Sequence, residues 1–224
     1  MHLRRKSAKL MATDGEPVMA PAALIRKSTI VYGIMIAVGL ALVGFGHKTL
    51  GRAMAVPQDP YELLRLVLIG GLGAGLLLVL SYFFEDWFPS FRELKSVIMR
   101  FLGPCTIPMA IYLALITSFG EELLFRGALQ PFAGLVLTSV LFGLLHMGQK
   151  GLVSAWSVWA LIAGLLLGWI YEETGSLWPP IIAHFGVNTV SILNLRRSYR
   201  GLARHLETNH DASKLKSKTG SDGP

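Results

Sequence analysis

Charge is scarce in this sequence. Only 16% of its 224 residues are Asp, Glu, Lys or Arg, whereas a soluble domain carries about 25%. Mean hydropathy is +0.51. Cysteine is nearly absent. A single Cys105 excludes an intramolecular disulfide and any cysteine-based metal motif. It sits in "LGPCTIP", between two prolines and with no histidine nearby in sequence, which fits a small helix-packing residue better than a nucleophile. There is no HExxH zinc motif, no GxSxG around Ser118 and no internal repeat. No cleavable signal pattern is expected, because the first apolar run starts late and no small-residue cleavage site follows it.

Long apolar runs are what the chain has instead. Runs of this length read as membrane spans, so the expected fold is all-α: a polytopic membrane helix bundle. About six transmembrane helices are expected, near residues 28–46, 62–84, 104–130, 135–148, 152–172 and 177–195. Residues 85–101, with Arg92, Lys95 and Arg100 among apolar neighbours, suit an interfacial amphipathic helix. "QPFAG", Gln130 to Gly134, is a turn signal between the third and fourth spans. The run "IGGLGAG" points to close helix packing. Trp156, Trp169, Tyr171 and Trp178 fall near expected span ends, as interfacial aromatics do.

The net charge of +7 is concentrated at the ends. Six Lys and Arg lie in residues 1–27 and seven in 196–224, out of 21 in all. A pI near 9.7 invites a nucleic-acid reading. Basic flanks beside membrane spans are better explained by the positive-inside rule. Both tails are then cytoplasmic, the number of spans is even, and nucleic acid is not an expected partner. Lys150 agrees with that topology, while Lys48 and Arg52 run against it.

Three charges interrupt the third span: Glu121, Glu122 and Arg126 in "SFGEELLFRG". Each ionisable group at mid-membrane costs roughly 2.5–3.5 kcal/mol on insertion scales, and such groups usually face the bundle interior. Glu122 and Arg126 are one turn apart, Glu first, so they can pair along one helix face. Glu121 points about 100° away from Glu122 and needs a partner from another helix. A turn near Pro131–Gly134 would make spans three and four a hairpin. Residues 121 and 146 are symmetric about that turn, so Glu121 and His146 should lie at the same depth, roughly 19 Å from it. A carboxylate meeting an imidazole in a dry bundle is a general-base arrangement. The sixth span adds His184 and Asn188 in "HFGVN", again one turn apart. They can glue the bundle by hydrogen bonding or hold an oxyanion. Gln130 is a further polar group in the same region.

Together these residues resemble the CPBP family of intramembrane glutamic endopeptidases, which comprises the CAAX-processing proteases and their bacterial Abi or bacteriocin-processing relatives. Three motifs of that family occur in order: EExxxR at Glu121, Glu122 and Arg126; FxxxH at Phe142 and His146; HxxxN at His184 and Asn188. The likeness spans about residues 105–195. It implies that Glu121 activates water, His146 helps hold that water, and His184 with Asn188 stabilises the tetrahedral oxyanion. It implies that Glu122 and Arg126 orient the site and that Phe142 shapes the pocket. On this reading the chain divides into a polar basic tail (1–27), N-terminal transmembrane helices with the interfacial segment (28–101), a protease-like core (102–195) and a basic C-terminal tail (196–224). The implied protein is a hydrolase of a bacterial cytoplasmic membrane. It acts on a membrane-associated peptide or protein, lipid-modified or not, and needs no cofactor.

Two alternatives carry different expectations. A zinc-dependent membrane metalloprotease would use Glu121, Glu122, His146 and His184 as ligands, although no pair of these has His–His i, i+4 spacing. A non-catalytic scaffold or immunity protein would keep the fold without the chemistry. Intact motif positions favour the peptidase.

Overall fold

The computed structural model describes residues 19–46, 50–147 and 154–219. Lys48, Lys150 and the basic residues at positions 4–9, used above for topology, lie outside these. The chain is all-α, and there is no strand among the described residues. Helix α1 spans Pro21–Gly46, the single turn α2 Leu50–Ala53, α3 Pro60–Trp87 and α4 Pro89–Leu102. Then follow α5 (Ile107–Glu122), a π-helical segment (Leu123–Leu129), α6 (Gln130–Leu145), α7 (Ala155–Thr174) and α8 (Trp178–Thr219).

The helix starts follow local chemistry. Pro60 at the first turn of α3 has no N–H to leave unpaired, and the Asp59 side chain accepts from Tyr61 N at 3.1 Å. Pro89 opens α4 and Pro108 stands near the start of α5, where Thr106 caps Met109 N. Ser154 and Ser157 form a capping box at the head of α7. Gly175, at φ 61, ends α7 in the left-handed conformation that a side chain would resist.

Two boundaries differ from expectation at the tails. Helix α1 starts at Pro21 rather than 28, because Pro21-Ala-Ala-Leu supplies a good first turn and Arg26 and Lys27 can extend from a helix as well as from coil. Helix α8 continues to Thr219 instead of stopping near 195, since Leu, Ala, Arg, Lys and Glu are strong helix formers with or without a membrane. The interfacial helix begins at Pro89, with α3 running on to Trp87.

Among the described residues, four helical stretches are long and apolar enough to cross a membrane, against about six expected: Pro21–Gly44, Pro60–Trp87, Ile107–Leu145 and Ala155–Thr174. The third is not straight. Gly134, at φ 73 and ψ 168, reverses the chain, a backbone geometry that glycine alone adopts easily. Phe125 and Phe142 consequently meet edge-on at 4.9 Å between ring centroids, although seventeen residues of straight helix would separate them by about 26 Å. The expected turn is therefore present, but only Gly134 leaves the helix, and Gln130 to Ala133 stay in it. The returning leg, 135–145, is about 17 Å long, shorter than a hydrocarbon core of roughly 30 Å.

Glycines set the interhelical spacing. A methyl group on Gly70 would come 2.7 Å from Ile182 Cβ, and one on Gly73 2.9 Å from Ile170 Cδ1. One on Gly186 would come 2.8 Å from Ala74 Cβ. So α3 lies against α8 at backbone distance, as the "IGGLGAG" run implied. Helices α6 and α7 approach similarly, with Gly168 facing Leu135 and Gly164 facing Ser139. At one end, α2 straps the α7–α8 turn: Leu177 N donates to Ala53 O at 2.8 Å, and Trp178 Nε1 to Met54 O at 3.1 Å. The central apolar core combines Leu77, Phe125, Phe142, Trp159, Leu167 and Val187.

Candidate active site

The π-helical segment sits beside the motif it serves. Pro131 cannot donate a backbone hydrogen bond. One residue before it, Gln130 N–H reaches back five positions to Phe125 O. Such widened turns are common at functional sites. The segment buries Arg126, which is 1% exposed, and α5 hands over to it at Glu121 and Glu122, 7% and 0% exposed.

Glu122 and Arg126 pair as the spacing required. Arg126 Nη1 donates to Glu122 Oε1 at 2.9 Å, and Nη2 to Gly164 O at 3.0 Å. The guanidinium also lies 4.8 Å over the Phe142 ring. Phe142, placed beforehand in the pocket wall, is buried there and also forms the platform under Arg126.

His184 joins both glutamates. Its Nδ1 lies 2.7 Å from Glu122 Oε1, an acceptor, so Nδ1 carries the hydrogen. That leaves Nε2 directed at Glu121 Oε2, 3.8 Å away. Glu121 Oε1 accepts from the Tyr32 hydroxyl at 3.2 Å, and Oε2 has no hydrogen-bond partner among the described protein groups. The buried cluster holds two carboxylates and one guanidinium.

His146 was expected as the interhelical partner of Glu121. The structure puts His184 and Tyr32 in that place. Turn arithmetic gives depth along the hairpin but not direction around the helix. His146 is the C-terminal cap of α6, at φ −94 and ψ 13, and its Nδ1 donates to Phe142 O at 2.7 Å. The ring packs on Phe142 at 4.5 Å and near Trp156 at 6.0 Å. It nonetheless lines the same cavity as Glu121. Both histidines are thus pinned through Nδ1 by an oxygen acceptor, which leaves Nε2 to the cavity.

Asn188 reaches the cavity from α8. Its amide donates to Thr117 Oγ1 at 3.1 Å and to Ser118 Oγ at 3.3 Å. Gln130 lies outside the cavity and ties the hairpin to α7 by donating to Gly168 O and Glu172 Oε1. Cys105 is buried among Ala110, Leu113 and Ile192, and burial pushes its thiol up, so it stays protonated and unreactive at neutral pH.

The cavity that gathers Glu121, His146, His184, Asn188 and Phe142 has a volume of about 410 Å³ and otherwise mostly apolar walls from α3, α4, α7 and α8. A second one, of about 470 Å³, adjoins Glu121, Tyr32 and His146. Trp156, expected in the interfacial belt, lines both. Sequence reasoning missed Tyr32, Thr117 and Ser118. A lone tyrosine in an apolar span has no spacing partner to mark it, and hydroxyls in helices usually bond to their own backbone. Among the described residues no group of three or more His, Cys, Asp or Glu side chains is placed to hold a metal ion.

Comparison with known proteins adds two likenesses. Residues 103–190 match the model of a family described as type II CAAX prenyl endopeptidase Rce1-like. The chain is also 31% identical over 147 residues to a Bacillus subtilis protein titled "Uncharacterized protein YpbD", covering 64% of this chain and 76% of YpbD. No solved structure matches.

Proposed function

Since the chain belongs to the Rce1-like type II CAAX prenyl endopeptidase family, we propose that it is an intramembrane endopeptidase in which Glu121 activates the attacking water. The observation that carries this reading is the division of labour between the two glutamates. Each has one oxygen without a protein partner, but Glu122 is fully buried away from the cavity and holds Arg126 and His184 through Oε1, whereas Glu121 lines the cavity. A general base needs such a free lone pair beside the substrate.

The remaining roles follow from which hydrogens are spoken for. His146 Nε2, a lone pair in the neutral ring, can accept from the same water and hold it in line. Attack on the scissile carbonyl moves the water proton to Glu121 and puts negative charge on the carbonyl oxygen. His184, when doubly protonated, presents Nε2–H to that oxygen, with Glu122 balancing the ring's charge through Nδ1. Asn188 supplies the second donor by turning one of its two amide hydrogens from the hydroxyl of Thr117 or Ser118 to that oxygen. Collapse of the tetrahedral intermediate then returns the proton from Glu121 to the leaving amine. Arg126 fixes Glu122 and touches no reacting atom. The apolar cavity walls support a membrane-associated peptide or protein substrate, including one bearing a lipid.

The protein is an integral membrane protein. With α1, α3, α7 and the apolar first part of α8 (178–195) as crossings, the Gly134 hairpin adds either none or two, so the number of spans is even in both cases. That supports both ends on one face, the cytoplasmic one by the basic residues at Arg26, Lys27 and Arg196–Arg204.

The test is peptide cleavage by purified protein in detergent or liposomes. Glu121→Gln is expected to lower kcat at least a hundredfold, about the contribution of a general base, with unchanged insertion and melting. Full activity in that variant would sink the glutamate mechanism. Activity lost to a chelator and restored by zinc would assign the chemistry to a metal instead.

A further inference from the structure

A third cavity, of about 450 Å³, lies beside the site just described, between α4, the end of α3 and the middle of α8. Its rim carries Arg92, Lys95 and Arg197, with His205 alongside, against one carboxylate, Glu85. Ser96 and Ser198 also line it, the Ser96 hydroxyl donating to Glu93 O. The floor is apolar: Met99, Leu195 and Leu202 are buried together there. A basic rim over an apolar floor matches one chemistry, a phosphate group joined to a hydrocarbon body.

The surroundings favour a membrane source for that group. Helix α4 is amphipathic, and its other face exposes Val97 and Phe101, next to the exposed Trp87 and Phe88 at the end of α3. Such a helix lies in the headgroup plane. The rim cations are at that level, where a phosphate would be met.

Two of them are held in place. Arg92 Nη1 donates to the carbonyls of Glu85 and Asp86, and Lys95 pairs with Glu85. Arg197 is exposed, on a stretch of α8 that leaves the apolar core. Fixed cations with spare donors, beside an exposed one, can clamp a phosphodiester with little ordering cost.

We propose that this groove binds the headgroup phosphate of an anionic phospholipid. The proposal is independent of the peptidase reading, since no rim residue is assigned a step in the chemistry. Its setting gives it a consequence all the same. Glu85, Lys95 and Leu195 line both this groove and the catalytic cavity, so the Lys95–Glu85 pair is the partition between them. A phosphate that draws Lys95 toward the groove thins that partition.

The probe is soluble short-chain phosphatidylglycerol added to the full-length protein in zwitterionic detergent, with binding read by native mass spectrometry. Short-chain phosphatidylcholine and inorganic phosphate are the comparison ligands. Phosphatidylglycerol should be retained selectively. Arg197→Glu should weaken it roughly tenfold or more, given about 1 kcal/mol per basic residue near an anionic surface. Arg200→Glu, an exposed change on the same helix outside the groove, should leave it unaltered. Equal loss in both variants, or loss in neither, overturns the site. Inorganic phosphate binding as tightly as the lipid overturns the membrane source. Displacement of the lipid by an equal concentration of oligoglutamate peptide assigns the groove to an acidic peptide and overturns the proposal.

Discussion

Helices α1 and α7 are both apolar and of spanning length, yet they belong to different parts of the molecule. Only 11% of the most hydrophobic stretch of α1 is buried inside the protein, against 44% for α7. Ile30, Val31, Ile34 and Val38 of α1 are turned outward. Helix α7 offers Gly164 and Gly168 inward, with their carbonyls taken by Arg126 and Gln130. Lipid solvates an isoleucine as well as protein does, so outward apolar residues contribute little to the fold. Here the hydrocarbon surface keeps the protein in the bilayer, while glycine contacts and buried polar bonds determine its tertiary structure.

The sharpest way to break this contrast is to remove a buried cation. Arg126→Ala leaves Glu122 inside without its partner and should destabilise the fold by about 3–5 kcal/mol, as lost partners in buried ion pairs do. Chemical or thermal unfolding in bicelles measures this. A stability equal to wild type would show that water reaches the cluster freely. Next is a polar reach that α1 makes into the core. Tyr32→Phe removes the hydrogen bond to Glu121. A bond to a carboxylate is worth about 1.5–3 kcal/mol, so kcat for peptide cleavage should fall roughly tenfold with KM and melting temperature little changed. A melting temperature that falls in step with activity would make Tyr32 a packing residue only. The smallest effect is expected from Ile34→Ala on the outward face of α1, 59% exposed. Its unfolding free energy should change by less than about 0.5 kcal/mol. A larger loss would mean that α1 is covered by something other than lipid.

The same contrast explains what the sequence made legible. Polar residues in the apolar runs could be sorted by periodicity, so the Glu122–Arg126 pair and the His184–Asn188 face appear where spacing put them. The hairpin was legible too, because Gly134 is among the few turn signals in that region. Direction around a helix was not. Helices α1 and α3 are apolar on every side, which leaves no amphipathic pattern to say that Tyr32 faces inward or that Ile34 faces out. His146 and His184 were both present as candidates for Glu121. Only the azimuth of α8, set by Gly70, Gly73 and Gly186, brings His184 closest.

The two glycine carbonyls of α7 have a mechanical consequence. Arg126 and Gln130 are one turn apart, and so are Gly164 and Gly168, so the four groups engage as a two-pin connector. Sliding α7 by one turn would leave one pin without a socket, and any smaller slip would unseat both. The hairpin and α7 therefore move as a single stator. Motion relative to that stator falls to α1 and α4, and α1 is tied to the hairpin by the Tyr32–Glu121 hydrogen bond as well as by apolar packing.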